Sequence, residues 1–317
     1  MAYINVDEVY ILDNTGLQVD MATDIPFVDA GFTDAQKEQA RKNIAAGGTN
    51  PNLLMNPFFT VNQRGQSSYT GTDYTFDRWR IVASGYSVAY NNDGSIRITK
   101  TSGATGQFAQ YFEWDDKTTT FTFSLMSPDG TIYTRTGDYT NTGYTAYTSP
   151  DGLVFRLYMD IHNGVLRVNI YSASTQTGTI DIKAVKLEKG TTSTIANDVA
   201  PDYGTELLKC QRYFIRINSS SLDLAHGFGF IASSATATIT IPTPVTMRTA
   251  PTQANASIGN FSVRANGSSY TPSGCSVRGL TENGVTMWFT SSGMSSGQVA
   301  VLSSATVGGY IDLSADL

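Results

Sequence analysis

Charge is scarce in this chain. Only 15% of its 317 residues are Asp, Glu, Lys or Arg, where ordinary globular proteins carry about 25%. The shortage deepens over residues 218–317, which hold seven charged side chains and no lysine. A surface so thinly charged is poorly protected against association, so a homo-oligomer is expected. The net charge of −6 and pI near 4.9 argue against nucleic acid or anionic lipid as partner, since both demand a basic surface. Neutral or weakly polar partners fit better. Cysteine is also rare. Cys210, expected at the start of a strand, and Cys275, expected in a Gly-rich turn, are too few for a disulfide framework and lack C-x-x-C spacing. Two reduced thiols or one bridge remain as readings. No run of 18 apolar residues occurs, so no membrane insertion is expected. The opening Met1-Ala2-Tyr3-Ile4-Asn5-Val6-Asp7-Glu8 has neither a positive n-region nor an apolar h-region. The expectation is a protein folded in a cytoplasm that reaches the outside, if at all, by lysis or on a particle. Only two histidines, His162 and His226, offer near-neutral bases, and there is no G-x-S-x-G elbow, phosphate loop or H-E-x-x-H. No metal or other cofactor is implied.

What is abundant is Ser, Thr, Asn and Gly, with few helix formers. The fold class expected is all-β, in two or three domains. In residues 1–31, Val9 and Ile11, an Asp13-Asn14-Thr15-Gly16 turn, then Leu17 and Val19 describe a short hairpin. Such a piece is marginal alone and needs a partner. In residues 32–50, Thr33 and Gln36 have capping-box spacing, and a helix would run to about Ala46 before Gly47-Gly48. Ala40 and Ile44 give it a thin apolar stripe. That stripe suits copies meeting around an axis, or else a surface helix lying on the next domain.

Residues 51–189 read as one β-sandwich. Phe121, Phe123 and Leu125 alternate with Thr120, Thr122 and Ser124. Phe155, Leu157, Met159 and Ile161 alternate with Arg156, Tyr158 and Asp160 and lead through His162-Asn163-Gly164 to Leu166, Val168 and Ile170. An Asn-Gly pair between alternating runs predicts a tight hairpin. Ile96 with Ile98, and Phe108, Phe112 and Trp114, add further strands, punctuated by Asp93-Gly94, Asp129-Gly130 and Asp151-Gly152. Strands so joined, without helices between, point to a sandwich or jelly roll. Residues 190–210 form a linker, loosened at Gly190-Thr191-Thr192-Ser193, with one or two helical turns over 203–209 before a strand over 211–217. In residues 211–317, Ala237, Ile239 and Ile241 alternate with threonines, and Val285, Met287 and Phe289 alternate with Thr286, Trp288 and Thr290. Both faces carry material that can be buried, one on a core and one on a neighbouring subunit.

Two chemistries compete. Glu113, Asp115 and Asp116 lie close together and Asp73 lies near Asp77. Paired carboxylates can hydrolyse glycosides, but proximity in sequence does not make a facing pair, and a charged loop is the plainer reading. Asn91-Asn92-Asp93-Gly94-Ser95 faintly resembles a calcium loop, but a hairpin turn accounts for it better. For binding, sugars need flat apolar faces beside planar hydrogen-bonding groups. A loop over 133–152 supplies Tyr139, Tyr144 and Tyr147 with Asn141 and Asp138. Tyrosine gives much contact area at little entropic cost, although tyrosines in a Thr-rich hairpin can simply pair across strands.

Five pieces resemble tail fibres and receptor-binding proteins from prophages of gut Firmicutes. They are the Thr33-Asp34-Ala35-Gln36 segment onward to Ile44; the stretch from Asn52-Leu53-Leu54-Met55-Asn56-Pro57-Phe58-Phe59 through Asn62-Gln63-Arg64-Gly65 to Phe76-Asp77-Arg78-Trp79; Lys186-Leu187-Glu188-Lys189-Gly190 onward to Thr194; the Pro201-Asp202-Tyr203-Gly204 segment to Phe214; and Pro244-Val245-Thr246-Met247-Arg248 onward to Pro251. The resemblance implies a homotrimeric fibre on a phage or phage-like tail, a virion component that acts outside the cell. A jelly-roll module akin to carbohydrate-binding modules would precede a C-terminal trimeric β head. It implies a bacterial cell-surface polysaccharide or teichoic acid-type glycan as receptor, a baseplate or tail protein at the N-terminal segment, and no enzymatic activity. A tail-spike polysaccharide depolymerase and a structural adaptor carrying a separate adhesin are the alternatives. On this reading Asp77, Arg78 and Trp79 are structural anchors, and Ala40 and Ile44 serve oligomerisation. Tyr139, Asn141, Tyr144, Tyr147, Tyr270, Arg278, Glu282, Asn283 and Trp288 are the candidate sugar contacts. Trp288 is among them because its parity is opposite to Met287 and Phe289.

Overall fold

The computed structural model describes residues 10–12, 18–20, 49–114, 118–140 and 143–317. It divides into two compact units, 1–49 and 50–317. In the first, β1 (Tyr10–Leu12) pairs antiparallel with β2 (Gln18–Asp20), Ile11 opposite Val19. This antiparallel pairing agrees with the hairpin expected from the alternation. The expected helix with Ala40 and Ile44, and also Asn141, Asp115 and Asp116, lie outside the described residues.

The second unit is all-β with one short α-helix among the described residues, and it holds two large hydrophobic cores and a small cluster of Met126, Ala184 and Ile195. The strands around the first core are β3 (Ser68–Thr70), β4 (Arg80–Ser84), β5 (Tyr86–Tyr90), β6 (Ile96–Lys100), β7 (Gly106–Phe112), β8 (Phe121–Met126), β9 (Ile132–Gly137), β10 (Tyr144–Thr148), β11 (Val154–His162), β12 (Val165–Ser172), β13 (Gly178–Ile182) and β14 (Ala184–Lys189). A five-stranded sheet, β10-β11-β12-β7-β4, faces a layer made of β13-β6-β5-β3 and β14-β8-β9. Phe155, Leu157, Met159, Val168, Ile170 and Phe108 from the first sheet meet Val88, Ile98, Phe121, Phe123, Leu125 and Leu187 from the other. The β11–β12 turn is as tight as its sequence demands. Asn163 and Gly164 both take positive φ, 51° and 82°, and His162 pairs directly with Val165.

Residues 190–198 are bound to the sandwich, not loose. Thr122 Oγ1 donates to the Gly190 carbonyl and Ser124 bonds Ser193. Lys186, fully buried, reaches Asp198 at 2.5 Å and Thr194 at 2.8 Å. These contacts cover the polar face of β8, so a strand whose alternation promised one solvated face is buried on both.

The helix α1 (Tyr203–Gln211) starts where Asp202 accepts a hydrogen bond from the Thr205 amide, a capping arrangement. It runs two residues further than expected and takes in Cys210, because Glu206, Leu207, Leu208, Lys209 and Gln211 are helix formers and no β-branched residue follows Thr205 until Ile215. Cys275 likewise lies on a strand and not in a turn, packed against the second core; both thiols are free. The remaining strands are β15 (Phe214–Asn218), β16 (Ala225–Ser233), β17 (Thr236–Pro242), β18 (Thr252–Ser257), β19 (Phe261–Ala265), β20 (Ser268–Tyr270), β21 (Gly274–Thr281), β22 (Gly284–Thr290), β23 (Val299–Ser304) and β24 (Tyr310–Ser314). They form a three-stranded sheet, β15-β24-β18, and a seven-stranded sheet, β20-β19-β23-β16-β17-β22-β21. Ile239, Met287, Phe289 and Leu302 of the larger sheet share a core with Ile311 and Leu313 of the smaller.

Polar contacts join the two halves of this unit. Asn56 N donates to Glu206 at 2.6 Å and Gln63 Nε2 donates to the Phe214 carbonyl at 2.7 Å. Arg64 stacks on Phe214 at 3.7 Å, and Arg78 stacks on Tyr213 while pairing with Asp316.

Candidate functional site

The outer face of the five-stranded sheet carries the most ligand-like surface. Register builds it. The Asn163-Gly164 turn sets Tyr158 opposite Asn169 and Arg156 opposite Tyr171. β10 adds Tyr144 opposite Tyr158, and β7 adds Gln107 opposite Tyr171. Residues directly opposite one another share a face, so two rows cross the sheet, Tyr144–Tyr158–Asn169 and Arg156–Tyr171–Gln107.

The rings are mutually braced. Tyr144 and Tyr158 lie 5.1 Å apart, Tyr158 and Tyr171 meet edge to face at 5.7 Å, and the Arg156 guanidinium sits 4.3 Å over Tyr144. Deeper in the sheet, Arg167 makes two bonds to Asp160 at 2.8 and 2.5 Å. Gln107 Oε1 accepts from Asn169 Nδ2 at 3.2 Å, while Asn169 Oδ1 is buried with no partner. Tyr144 is 46% exposed and Arg156, Tyr158 and Tyr171 are half-buried. The face therefore presents aromatic surface beside the Gln107 amide and a guanidinium, held in place before any ligand arrives, with Asn169 buried beneath them.

The tyrosines expected in one loop are not together. Residues 133–137 and 144–148 are strand, β9 and β10 lying in different sheets, and of the three tyrosines only Tyr144 faces outward. Tyr139 is 1% exposed between Phe112 and Phe121, and burial pushes its phenol well above the ordinary range. It is a core residue. Tyr147 packs against Tyr133 and Phe155, and its hydroxyl bonds both the amide and the carbonyl of Thr134. That ties β10 to β9 across the sandwich edge. Burial accounts for both departures: Tyr147 takes an inward-pointing position of β10, and Tyr139, between β9 and β10, packs into the core.

In the second half, Trp288 is 38% exposed with Arg278 stacked at 3.5 Å. Glu282 and Asn283 form the β21–β22 turn, where they hold residues 243–247: the Glu282 carbonyl accepts from Met247 N and Asn283 Oδ1 accepts from Thr246. Tyr270 packs partly on the second core at the opposite edge of the sheet, so it shares no face with Trp288. Glu113 is engaged by Arg248 at 3.3 Å. Asp93 closes a β5–β6 turn by accepting from both the amide and the hydroxyl of Ser95. Trp79 is fully buried, stacked on Phe108, and donates to the Asn56 carbonyl. Asp77 accepts two bonds from Gln63, and burial raises its carboxyl above the usual range despite nearby Arg64.

The residues that sequence reading did not single out are Tyr158, Tyr171, Arg156, Asn169 and Gln107. Their signal was available in the polar parity of two strands whose register a two-residue turn dictates. Among the described residues no group of three His, Cys, Asp or Glu side chains could hold a metal, and no helix is long and apolar enough to cross a membrane. No family model, no curated protein and no solved structure matches this chain.

Proposed function

We propose that this protein is a fibre-type adhesin, attaching a phage or phage-like particle to a bacterial surface glycan through the outer face of the five-stranded sheet. The observation that carries the reading is the braced triad Tyr144, Tyr158 and Tyr171 interleaved with Arg156 and Gln107, the latter held by the buried Asn169. Flat rings cover sugar C–H faces, and planar amide and guanidinium groups meet hydroxyls. The deficit of surface charge favours an uncharged polymer.

Association of copies belongs to the same reading. On the outer face of the seven-stranded sheet, Val299, Phe230, Thr238, Trp288 and Ser276 lie opposite one another in succession across five strands. Phe228 and Phe230 are 63% and 52% exposed, Val299 74%. Exposed apolar area of this kind marks an interaction surface, and a second copy of the chain supports the trimer that a fibre needs. Weak single sites then gain by multivalency.

The test is binding of the purified full chain to cells and purified cell-wall polysaccharides from a panel of bacteria, with size and reducing ends measured in parallel. The reading expects polysaccharide binding that falls at least tenfold in Tyr158→Ala, without shortening of the polymer. Binding untouched by Tyr158→Ala would remove the platform from the account, and new reducing ends would move the protein to the depolymerase class.

A further inference from the structure

A polar cleft of about 190 Å³ lies where residues 66–75 approach the three-stranded sheet. It is smaller than the ~300–1,000 Å³ typical of drug-sized pockets. Its inner part is rigid. Arg216 is held by both oxygens of Asp312, at 2.6 and 2.7 Å, lies 4.2 Å over the Tyr310 ring, and donates to the Arg64 carbonyl. Tyr74 is fixed by its hydroxyl bond to the Leu317 carbonyl at 2.6 Å. Its outer part is unengaged. Gln66, Asp73 and Asn255 are exposed. The two amides have no protein partner among the described residues, and Asp73 accepts only from the adjacent Tyr74 amide.

The backbone is bent to deliver one of these groups. In the β18–β24 pair Gln253 faces Leu313 and Ala256 faces Ile311, so Ala254 and Asn255 together oppose Asp312. This is a β-bulge, a device that re-aims side chains and is over-represented beside functional sites. Arg64 also lines the cleft, and its buried Nη1 has no hydrogen-bond partner.

We infer that this cleft is a second saccharide site, separate from the sheet platform, that takes a single uncharged pyranose residue. Charge decides the class. Arg216 is matched by both oxygens of Asp312, and Arg64 shares Asp316 with Arg78, so each guanidinium at the cleft already faces a carboxylate. The carboxylate of Asp73 is left without a cation, so it repels an anionic ligand and accepts from sugar hydroxyls with the added strength of a charged acceptor. Gln66 and Asn255 supply both donors and acceptors for the neighbouring hydroxyls. The site draws on Asp73 and Gln66 from one half of the unit and Asn255 and Tyr310 from the other, so it exists only while the two halves are docked.

Saturation-transfer NMR on the full chain tests it. The probes are methyl pyranosides of uncharged hexoses and N-acetylhexosamines, with methyl glucuronide and glycerol phosphate as anionic comparisons. The expected result is saturation by at least one uncharged pyranoside, weakened tenfold or more by Asp73→Ala and by Asn255→Ala and unchanged by Tyr158→Ala. Asp73 and Asn255 are exposed, and a matching thermal melt checks each variant's fold. No saturation by any uncharged pyranoside, preference for the anionic probes, or loss in Tyr158→Ala with retention in Asp73→Ala would each overturn the inference. Polysaccharide binding at the platform is read separately through Tyr158→Ala, so either site can fail without the other.

Discussion

Arg78 Nη1 lies 2.9 Å from Asp316 Oδ1, an ion pair between side chains 238 residues apart, of which 2% and 4% remain exposed. Arg78 also donates to the Tyr111 carbonyl at 2.6 Å and covers Tyr213 at 3.5 Å. The guanidinium thus joins the β-sandwich, the end of α1 and the C-terminal strand. Removing one member of a buried pair strands the other charge, at about 3–5 kcal/mol, and Arg64 at 3.3 Å from Asp316 puts Arg78→Met at the low end of that range. Arg78→Met and Asp316→Asn are each expected to lower unfolding free energy by that order in urea titrations, and the double variant by clearly less than the sum. Additive losses, or losses below about 1 kcal/mol, would mean that the two halves are held by other contacts.

Tyr144 and Tyr147 are three residues apart and are expected to behave oppositely. Tyr144 is exposed beside Arg156, so Tyr144→Ala should weaken glycan binding with little change in the melt. Tyr147 bonds Thr134 from inside the sandwich edge. Losing that hydroxyl in Tyr147→Phe leaves buried backbone groups unpaired, which costs about 1–3 kcal/mol, with binding retained. Paired measurements of affinity and urea midpoint check this. The same affinity loss in both variants would place the ligand elsewhere.

The strands were legible because alternation and turns agree. The β11–β12 hairpin followed from Asn163-Gly164 alone, and the inner faces of β17 and β22 from their threonine alternation. What was not legible was the meaning of the family-like stretches. Asn56, Gln63, Arg64 and Arg78 come from the stretch over 52–79, Glu206, Tyr213 and Phe214 from another, Arg248 from a third, and they meet at one junction. Such contacts join residues more than a hundred positions apart, and no local pattern encodes them. Tyr139 was misjudged for a related reason. A lone tyrosine among threonines carries no parity signal, and its burial depends on Phe112 and Phe121 from other strands. The junction cleft stayed hidden as well, since a bulge in β18 creates it.

The exposed row on the seven-stranded sheet gives an association test. Phe230 and Val299 lie opposite one another and are both more than half exposed in the single chain. Burying such side chains is worth about 1.5–3 kcal/mol each, and a carboxylate in their place would oppose burial. Phe230→Glu and Val299→Glu are expected to shift sedimentation from an oligomer to a single chain with secondary structure intact. An unchanged oligomer would assign self-association to a different surface, and a wild-type single chain at working concentration would end the fibre reading.

His226 gives stability a pH dependence whose sign is fixed. The ring is half-buried, 2.8 Å from the Ser304 hydroxyl and edge-on to Phe261, and burial lowers its pKa below the ordinary 6.5. The unfolded chain therefore takes up this proton at higher pH than the folded one. The stabilising contribution is complete above about pH 6.5 and is lost as pH falls towards the folded value. Asp93, Asp129, Asp181 and Asp202 have carboxyls held below their ordinary range. They titrate in more acidic solution, whereas burial raises the carboxyls of Asp77 and Asp198; both are common to wild type and variant, so their contribution cancels in the comparison. His226→Gln can keep the bond to Ser304 while removing the titration. Thermal melts between pH 7.5 and 5.5 should show the wild type losing stability relative to His226→Gln, and parallel curves would show that His226 is not buried as the neutral ring.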